Sequence, residues 1–421
     1  MSQNTSSATQ SASSTPSSER LPWAGLLALA MTGFICILTE TIPAGLLLQI
    51  GDGLGVSEAL AGQLVTLYAL GSLLAAIPLT TLTRGWRRRP LLLMCILGFL
   101  VFNTVTTLSS NYSLTLAARF FAGVSAGVLW GMIAGYARRM VPESLKGRAM
   151  AVAMVGTPLA LALGVPAGTL LGTLVGWRSV FGIMSLLALM LVAWVLWKLP
   201  DYPGEAPDKR LPLYKVFVIP GVRPVLFVVL AWVLAHNILY TYIAPFLTQA
   251  GLTQRVDLVL LIFGITALVG IWVIGILIDR KLRPLVLISL AAFALSSIVL
   301  GISSSQPVVI YLVVAVWGLT FGGAATLLQT AVAEAAGESA DVAQSMLVTA
   351  WNLAIGGGGV IGGILIETVG VRSFPWVLFI LLILALLVAW RAKEYGFPSR
   401  NTYEIMPQSS SLRITVAEQE I

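Results

Sequence analysis

The sequence predicts an all-α membrane protein of twelve transmembrane helices in two six-helix halves. Three observations predict this fold: an apolar composition, apolar runs of membrane-spanning length, and motifs that recur at one fixed offset. Of the 421 residues, 57% are hydrophobic and only 10% are charged, and the mean hydropathy is +0.92. These values lie far above those of a water-soluble domain, so we expect the chain to lie in a lipid bilayer.

The apolar runs are long enough to cross about 30 Å of hydrocarbon as helices. Short polar or arginine-rich connections separate them. The twelve predicted spans are 22–48, 58–83, 90–108, 113–138, 149–175, 179–199, 224–248, 258–279, 285–303, 308–333, 343–367 and 374–391. Glycine, proline and serine recur inside several of them, which argues against a β-barrel of alternating strands.

Polar segments divide the chain into five parts. Residues 1–21 are rich in serine and threonine and lack the basic start and apolar centre of a secretory signal, so we expect a disordered tail. Residues 22–199 and 224–392 hold six spans each. The connector between them, 200–223, is rich in proline and charge, and residues 393–421 form a second polar tail.

Lysines and arginines predict the orientation. Of the 25 basic residues, Arg119 lies inside a span, Arg178, Arg255 and Arg372 fall on one side of the membrane, and the other 21 fall on the opposite side or in the tails. The positive-inside rule makes the richer side the cytoplasm. We therefore expect a multi-pass membrane protein with both termini cytoplasmic. The net charge of +7 follows from this topology and does not indicate nucleic-acid binding.

Motifs repeat at an offset of 194 residues. The Arg-Pro pair at 89–90 recurs at 283–284, and "VGWRS" at 175–179 recurs as "VGVRS" at 369–373. The glycine pair of "RFFAGVSAG" recurs in "WGLTFGG" one residue further on, at 195. The chain is therefore predicted to be two parallel halves related by an axis along the membrane normal, an architecture found among transporters.

Four stretches carry a resemblance to a known family. They are "TETIPAGLL" in the first span, "RFFAGVSAG" in the fourth, "ALGVPAGTLLGTLVGWRSVF" in the fifth and "YTYIAPFL" in the seventh. Together they resemble the twelve-span drug:proton antiporter group of the major facilitator superfamily, and most of all its bacterial sugar, arabinose and nucleoside efflux branch. The resemblance covers about residues 22–395. It implies the major facilitator fold, a place in the bacterial inner membrane, and proton-coupled efflux of a small organic solute, such as a sugar, nucleoside or drug, by alternating access.

Two further motifs bear on the expected conformational change. Gly156, Pro158, Gly164, Pro166 and Gly168 lie on the fifth span, where small residues allow close helix packing and proline loosens the backbone. Judged by residue type alone, these glycines and prolines are consistent with ordinary helix packing. The resemblance to the family's antiporter motif implies a pivot or seal between the halves.

The loop after the second span departs from the family pattern. An Asp usually precedes its arginines, whereas "TLTRGWRRRP" has Thr83 and Arg84 there. The second-half copy, "GILIDRKLRP", keeps Asp279 and Arg280. In the family this loop helps to hold the halves in register, so the first-half arginines are either part of such a latch or topology anchors.

Two charges lie deep in the first half. Glu40 needs a cavity, a partner or a proton, because a charge near the bilayer centre costs at least about 2.5 kcal/mol. Arg119 is the only basic residue inside a predicted span. Helix geometry places Glu40 and Arg119 roughly 10 Å from the same membrane face. The corresponding second-half positions are Leu234 and Val314. Because a packing pair would recur in both halves, we interpret Glu40 and Arg119 as a proton-coupling pair rather than a structural ion pair.

The predicted substrate cavity lies near the midplane, between the first, fourth, seventh and tenth spans. Its candidates are polar or aromatic residues that would be costly against lipid: Asn103, Trp130, His236, Asn237, Tyr240, Gln329 and Asn352. His236 is the only histidine and shares a helix face with Tyr240, four residues on. It is either a second titrating group or a neutral hydrogen-bonding residue of the wall.

Other function classes find no support in the sequence. No glycine run is followed by Lys-Ser or Lys-Thr, so we expect no ATP site, and the two cysteines give no disulfide framework. We expect no enzyme activity, catalytic residue, cofactor or metal, and a monomer whose partners are a small solute, protons and lipid. Uptake by symport or facilitation stays open as an alternative, and a non-transporting receptor is disfavoured because no soluble signalling domain is present.

Overall fold

The computed structural model describes residues 21–76, 78–83, 85–142, 145–204 and 213–398. The side chains of residues 147, 213, 279, 338 and 341 also lie outside the description. Residues 1–20, 205–212 and 399–421, which make up most of the predicted tails and part of the connector, lie outside the described residues. Within the described ranges, twelve helices are long and apolar enough to cross a membrane.

These helices confirm the predicted all-α fold, with ends that differ from the predicted ones by up to seven residues. They are α1 (Trp23–Gly45), α2 (Glu58–Leu82), α3 (Arg88–Leu108), α4 (Tyr112–Arg139), α5 (Arg148–Val175), α6 (Trp177–Lys198), α7 (Val222–Thr241), α8 (Thr253–Ile278), α9 (Arg280–Ser303), α10 (Pro307–Ala336), α11 (Val342–Thr368) and α12 (Val371–Arg391).

Three of the spans are interrupted. The helix of α4 stops at Trp130 and resumes at Ile133, and that of α10 stops at Gly322 and resumes at Ala324. In α5, residues Ala160–Gly164 form a π-helical turn directly before Val165–Val175. Pro166 accounts for it, because proline has no N–H to donate to the preceding turn, and such turns are frequent at functional sites.

Glycines bring the same helix pair together in each half. In the first half Gly71 of α2 lies against the backbone of α4 and Gly123 of α4 against that of α2, and in the second half Gly270 of α8 and Gly318 of α10 do the same for α10 and α8. A Cβ atom at any of these positions would overlap a backbone carbonyl of the neighbouring helix. The glycine pair that repeats in the sequence therefore lets α4 and α10 pack closely on α2 and α8.

Trp23 and Arg391 lie at one end of the bundle, which we call the terminal end. Because successive helices alternate in direction, the chain on either side of the connector also lies there. At the opposite, distal end, Arg178 donates hydrogen bonds to the carbonyls of Gly53, at 3.2 Å, and Ser109, at 3.3 Å. Arg178 thus ties together three distal connections of the first half.

The two halves meet at the distal end through α2 and α11. Tyr242, directly after α7, donates a hydrogen bond to the Gly359 carbonyl of α11 at 2.7 Å. Gln63 of α2 donates to the same carbonyl at 3.3 Å, and Thr66 donates to the Gly356 carbonyl at 3.5 Å. The small residues of α11 thus leave carbonyl groups open to side chains of both halves.

A second contact between the halves joins α5 to α8. Gly264 of α8 lies against the backbone of Ala162, inside the π-helical turn of α5. Closer to the distal end, Gly45 of α1 lies between Thr169 of α5 and Leu260 of α8. We call the α2–α11 and α5–α8 contacts together the distal seam, which closes the bundle from its middle to its distal end.

Candidate functional site

Glu40 lies in a weakened turn of α1. Pro43, three residues on, has no backbone N–H, so the Thr39 carbonyl loses its usual helical partner. The Glu40 side chain is only 9% exposed. Arg119 of α4 and the hydroxyls of Tyr68 and Tyr240 lie within its electrostatic reach. The carboxylate therefore faces the interior of the bundle and not lipid.

Arg119 is fully buried beside Glu40. Its Nη2 donates to the backbone carbonyl of Glu40 and its Nε to that of Leu64, both at 3.4 Å. The guanidinium lies 4.9 Å from the ring centroid of Tyr68 and 5.8 Å from that of Phe181, which are favourable cation–π distances. Arg119 therefore ties α4 to α1 and α2 and places a fixed positive charge at the site.

The structure brings Glu40 and Arg119 together, but their direct contact is with the main chain of Glu40. Among the described residues, no ion pair joins the Glu40 carboxylate to the Arg119 guanidinium; the contact is to the Glu40 carbonyl. The Nη1 group of Arg119 has no hydrogen-bonding partner although it is buried. The carboxylate is thus free to bind a proton, and one N–H edge of the guanidinium is free for a ligand or for the carboxylate itself.

Two of the predicted cavity residues support α1 within the first half. Asn103 of α3 is fully buried and donates to the Thr39 hydroxyl at 3.0 Å. Trp130 of α4 has its indole against Gly33 and beside Cys36. Both therefore lie around the turns of α1 that carry Glu40.

An aromatic wall faces Glu40 from the second half. It consists of His236 and Tyr240 of α7, Phe263 of α8, and Trp317 and Phe321 of α10. The His236 ring stacks on Phe321 with a centroid distance of 3.6 Å, and Tyr240 lies 5.2 Å from His236. The buried Tyr240 hydroxyl forms no well-aligned hydrogen bond and lies beside Thr41 and Glu40 of α1. The two halves thus meet at Glu40 and Tyr240.

Three predicted cavity residues lie elsewhere in the second half. Asn237 donates to the Val233 carbonyl of its own helix, and Asn352 donates to that of Val348, both at 2.9 Å. The Gln329 side chain is exposed, and its backbone carbonyl accepts a hydrogen bond from Gln344 at 2.7 Å. The side-chain amide of each asparagine is thus already hydrogen-bonded within its own helix, so neither needs a ligand as the acceptor for that N–H group.

Comparison with known proteins places this geometry in a family. The family model described as Major Facilitator Superfamily matches residues 29–358 of the chain. This chain belongs to the major facilitator superfamily. It is accordingly a transporter and not an enzyme, and its twelve apolar helices and its relatives make it a multi-pass protein of the bacterial inner membrane.

Superfamily members of known function match nearly the whole chain. A purine ribonucleoside efflux pump, NepI, of Escherichia coli O157:H7 is 28% identical over 375 residues, which cover 88% of this chain and 94% of the relative. The pump of the same name from Shigella flexneri matches over the same length with the same identity.

A solved structure shows the same fold. It is a bacterial homologue of the human lysosomal transporter Spinster, in an inward-facing and occupied conformation. The TM-score is 0.68 at 15% sequence identity, with 88% of this chain and 96% of that chain covered.

The α5 glycines of this superfamily member pack against α1 in the same half. Gly156 lies on the backbone at Ala30, Gly164 against Phe34 and Leu38, and Gly168 against Ile42. Pro158 is half-buried and Pro166 is buried. The contact of α5 with the second half lies on another face, at Ala162. The glycines of α5 thus pack this helix against α1, which carries Glu40. The π-helical turn of α5 packs against α8 of the other half.

The first-half loop lacks the family's Asp, and its arginines instead contact an acidic residue that follows α6. Arg87 forms an ion pair with Asp201, three residues beyond α6. Asp201 also accepts the backbone N–H of Arg89 at 3.1 Å, and the Arg89 side chain donates to the Leu199 carbonyl at 3.2 Å. Desolvation opposes ionisation, but the hydrogen bonds from Arg89 and Arg87 outweigh it and lower the pKa of Asp201.

The second half has a related clamp, in which Arg283 binds backbone carbonyls among the described residues. Arg283, the counterpart of Arg89, donates to the Ala389 carbonyl at 3.1 Å and to the Trp390 carbonyl at 2.7 Å, near the end of α12. The Asp279 side chain lies outside the described residues, and Arg280 is exposed. In both halves an arginine near the start of the third helix thus holds the end of the sixth.

Removal of the first-half ion pair is expected to have a small effect on stability. The Arg87 side chain is 70% exposed, and exposed pairs contribute about 0.2–1 kcal/mol. A double-mutant cycle of Asp201→Asn and Arg87→Gln, measured by thermal unfolding in detergent, should give a coupling energy in that range. Because the pKa of Asp201 is lowered in the folded protein, this coupling should be intact at neutral pH and lost only below about pH 4. A coupling energy of zero at neutral pH would contradict this account.

Sequence reasoning missed several residues of the site. No role for Phe263, Trp317 or Phe321 follows from the sequence, although the spacing of four between Trp317 and Phe321 indicates a shared helix face. Asp201 lies 114 residues from its partner Arg87, and no local pattern connects the two. Leu64 contributes only a backbone carbonyl, which the sequence does not distinguish.

Proposed function

We propose that this protein exports a purine nucleoside, or a neutral solute of similar size and polarity, in exchange for a proton, with Glu40 as the coupling acid. The observation that carries the proposal is the buried Glu40 carboxylate, which makes no ion pair, lies beside a fixed buried guanidinium and faces Tyr240 of the other half. The similarity to purine ribonucleoside efflux pumps over 88% of the chain supports the direction and the solute class.

The distribution of basic residues supports an orientation. With the basic terminal end in the cytoplasm, the distal seam faces the periplasm and is closed. The solute would then enter from the cytoplasm, pass between Glu40 and the aromatic wall, and leave when the distal seam opens and the terminal end closes. Rocking of the two halves about a central site is the usual means of such alternation.

The two charges suggest how proton movement through Glu40 is coupled to solute export. Burial favours the neutral form of a carboxylate, and a nearby guanidinium favours the ionised form, so Glu40 can exchange a proton as its surroundings change. A proton that enters from the periplasm neutralises Glu40, and its release to the cytoplasm restores the carboxylate. One proton moving down about 100 mV releases about 2.3 kcal/mol, enough for a solute gradient of roughly fifty-fold.

Everted membrane vesicles test this function. Respiration makes their lumen acidic, and adenosine added outside meets the cytoplasmic face of the protein. We expect adenosine to collapse part of the pH gradient in vesicles that contain the protein and to leave control vesicles without it unchanged. An uptake symporter would not relieve the acid gradient under these conditions. Failure of adenosine, guanosine and arabinose alike to relieve it would contradict export by proton exchange.

A further inference from the structure

Trp317 fixes which nitrogen of His236 carries a hydrogen. The indole Nε1–H is a donor only, and it donates to Nδ1 of His236 at 3.1 Å. Nδ1 is therefore the acceptor, and the ring hydrogen of the neutral imidazole lies on Nε2. Protonation of Nδ1 would break this bond and leave the N–H of Trp317, a fully buried residue, without a partner, which is unfavourable.

The aromatic wall also fixes the orientation of the His236 ring. Phe321 stacks on it at an interplanar angle of 4°, and Tyr240 stacks near it at 29°. The centroid of the Phe263 ring lies 5.6 Å from that of the His236 ring. His236 is 8% exposed, and its Nε2 has no hydrogen-bonding partner among the described residues. The protein thus holds an N–H donor in place without using it.

The Tyr240 hydroxyl lies one helical turn from this donor. Tyr240 is 4% exposed, and its buried hydroxyl forms no well-aligned hydrogen bond, with the Thr41 hydroxyl of α1 as a close polar neighbour. Residues four apart lie about 6 Å apart along one helix face, so the two polar groups point to the same side of α7, with Tyr240 next to Glu40. Buried polar groups are nearly always paired, so a buried hydroxyl without a well-aligned hydrogen bond, on the same helix face as an unused N–H donor, indicates that a ligand pairs with both.

We propose that His236 Nε2–H and the Tyr240 hydroxyl form a hydrogen-bonding subsite for the transported solute, in which His236 acts as a fixed neutral donor and not as a second proton carrier. The assignment of the solute as a nucleoside rests on the proposed function; the fixed donor does not. The subsite takes a solute with acceptor atoms on a ring or on hydroxyl groups, and the surrounding aromatic rings suit a flat heterocycle. A site built to pair with a polar atom discriminates strongly against an analogue that lacks it.

The tautomer is directly measurable because the chain has one histidine. Protein purified without a histidine tag and labelled with ¹⁵N-histidine gives one pair of ring nitrogen signals. We expect Nδ1 without hydrogen and Nε2 with hydrogen throughout the range of about pH 5–8 in which free histidine titrates. Adenosine should shift the Nε2 signal. Protonation of both nitrogens within this range, or a hydrogen on Nδ1, would overturn the proposal.

Three conservative variants test the subsite by transport. In His236→Gln the amide nitrogen reaches the position of Nε2, whereas in His236→Asn it reaches only that of Nδ1, and Tyr240→Phe removes the hydroxyl alone. We expect His236→Asn and Tyr240→Phe to raise the KM for adenosine about tenfold, the loss of one hydrogen bond, and His236→Gln to raise it much less. The maximal rate and the pH profile should not change.

The two proposals fail in different ways. A shifted pH profile in both His236 variants with an unchanged KM would show that His236 carries protons and would overturn the fixed-donor proposal. The absence of adenosine-dependent proton movement in the wild type would instead overturn the proposed function and leave the ¹⁵N result unaffected.

Discussion

Replacement of Glu40 by glutamine is expected to abolish uphill export while leaving solute exchange intact. Glutamine has nearly the same size as protonated glutamate and cannot release a proton, so the halves should still alternate around the solute. One proton moving down about 100 mV can sustain a solute gradient of roughly fifty-fold, and the variant should form no such gradient. The two activities are measured in one preparation as export driven by the proton gradient and as exchange of labelled adenosine between equilibrated compartments.

A second carboxylate provides the control for this variant. Glu58 starts α2 at the distal end, away from Arg119 and the aromatic wall, so Glu58→Gln should keep both activities. If Glu40→Gln retains uphill export, Glu40 is not the coupling acid, and the charges of the site have a structural role only.

Replacement of Gly264 by alanine is expected to reduce transport more than tenfold by preventing the distal seam from closing. A Cβ at this position would overlap the backbone of Ala162 in α5, and a backbone cannot rotate aside as a side chain can. Overpacking of this kind costs about 1–3 kcal/mol. Because the strain exists only when the halves are in contact, it should shift the population toward the conformation that is open at the distal end by roughly ten- to a hundredfold.

Gly275 on the same helix is the matched control. No atom lies within 4 Å of a Cβ built there, so Gly275→Ala should leave transport unchanged. Closure is measured by a bifunctional thiol reagent in Ser57→Cys/Glu367→Cys protein, since Ser57 and Glu367 are hydrogen-bonded across the halves at 3.3 Å. Gly264→Ala should lower the cross-linking yield and Gly275→Ala should not. Equal yields in both would contradict the proposed role of the α5–α8 contact.

The length and repetition of the apolar runs were sufficient to predict the fold. The two deep charges were identified because ionised groups are so costly in a bilayer that their presence needs a cause. Helix rise then gave their common depth, but it does not give the rotation of each helix about its axis. That rotation directs the Arg119 guanidinium to the Glu40 carbonyl, beside the turn that Pro43 weakens, and leaves the carboxylate free.

The role of His236 was not accessible from the sequence, because it depends on partners far along the chain. Titration and neutral hydrogen bonding fit a lone histidine equally well. Trp317, on α10, decides between them by donating to Nδ1, and Phe321 fixes the ring plane. The packing partner of the α5 glycines was likewise not accessible from the sequence. Their spacing indicates close packing, but only the assembled bundle shows that the partner is α1.

The most direct test of the account is whether solute binding releases a proton from Glu40. Purified protein in weakly buffered detergent solution, near neutral pH and with a pH indicator, is mixed with adenosine and, as a control, with a solute that is not transported. We predict that wild-type protein releases protons on binding adenosine, that Glu40→Gln binds adenosine without release, and that Glu58→Gln behaves as the wild type does. Equal proton release from Glu40→Gln and the wild type would contradict the assignment of Glu40 as the coupling acid.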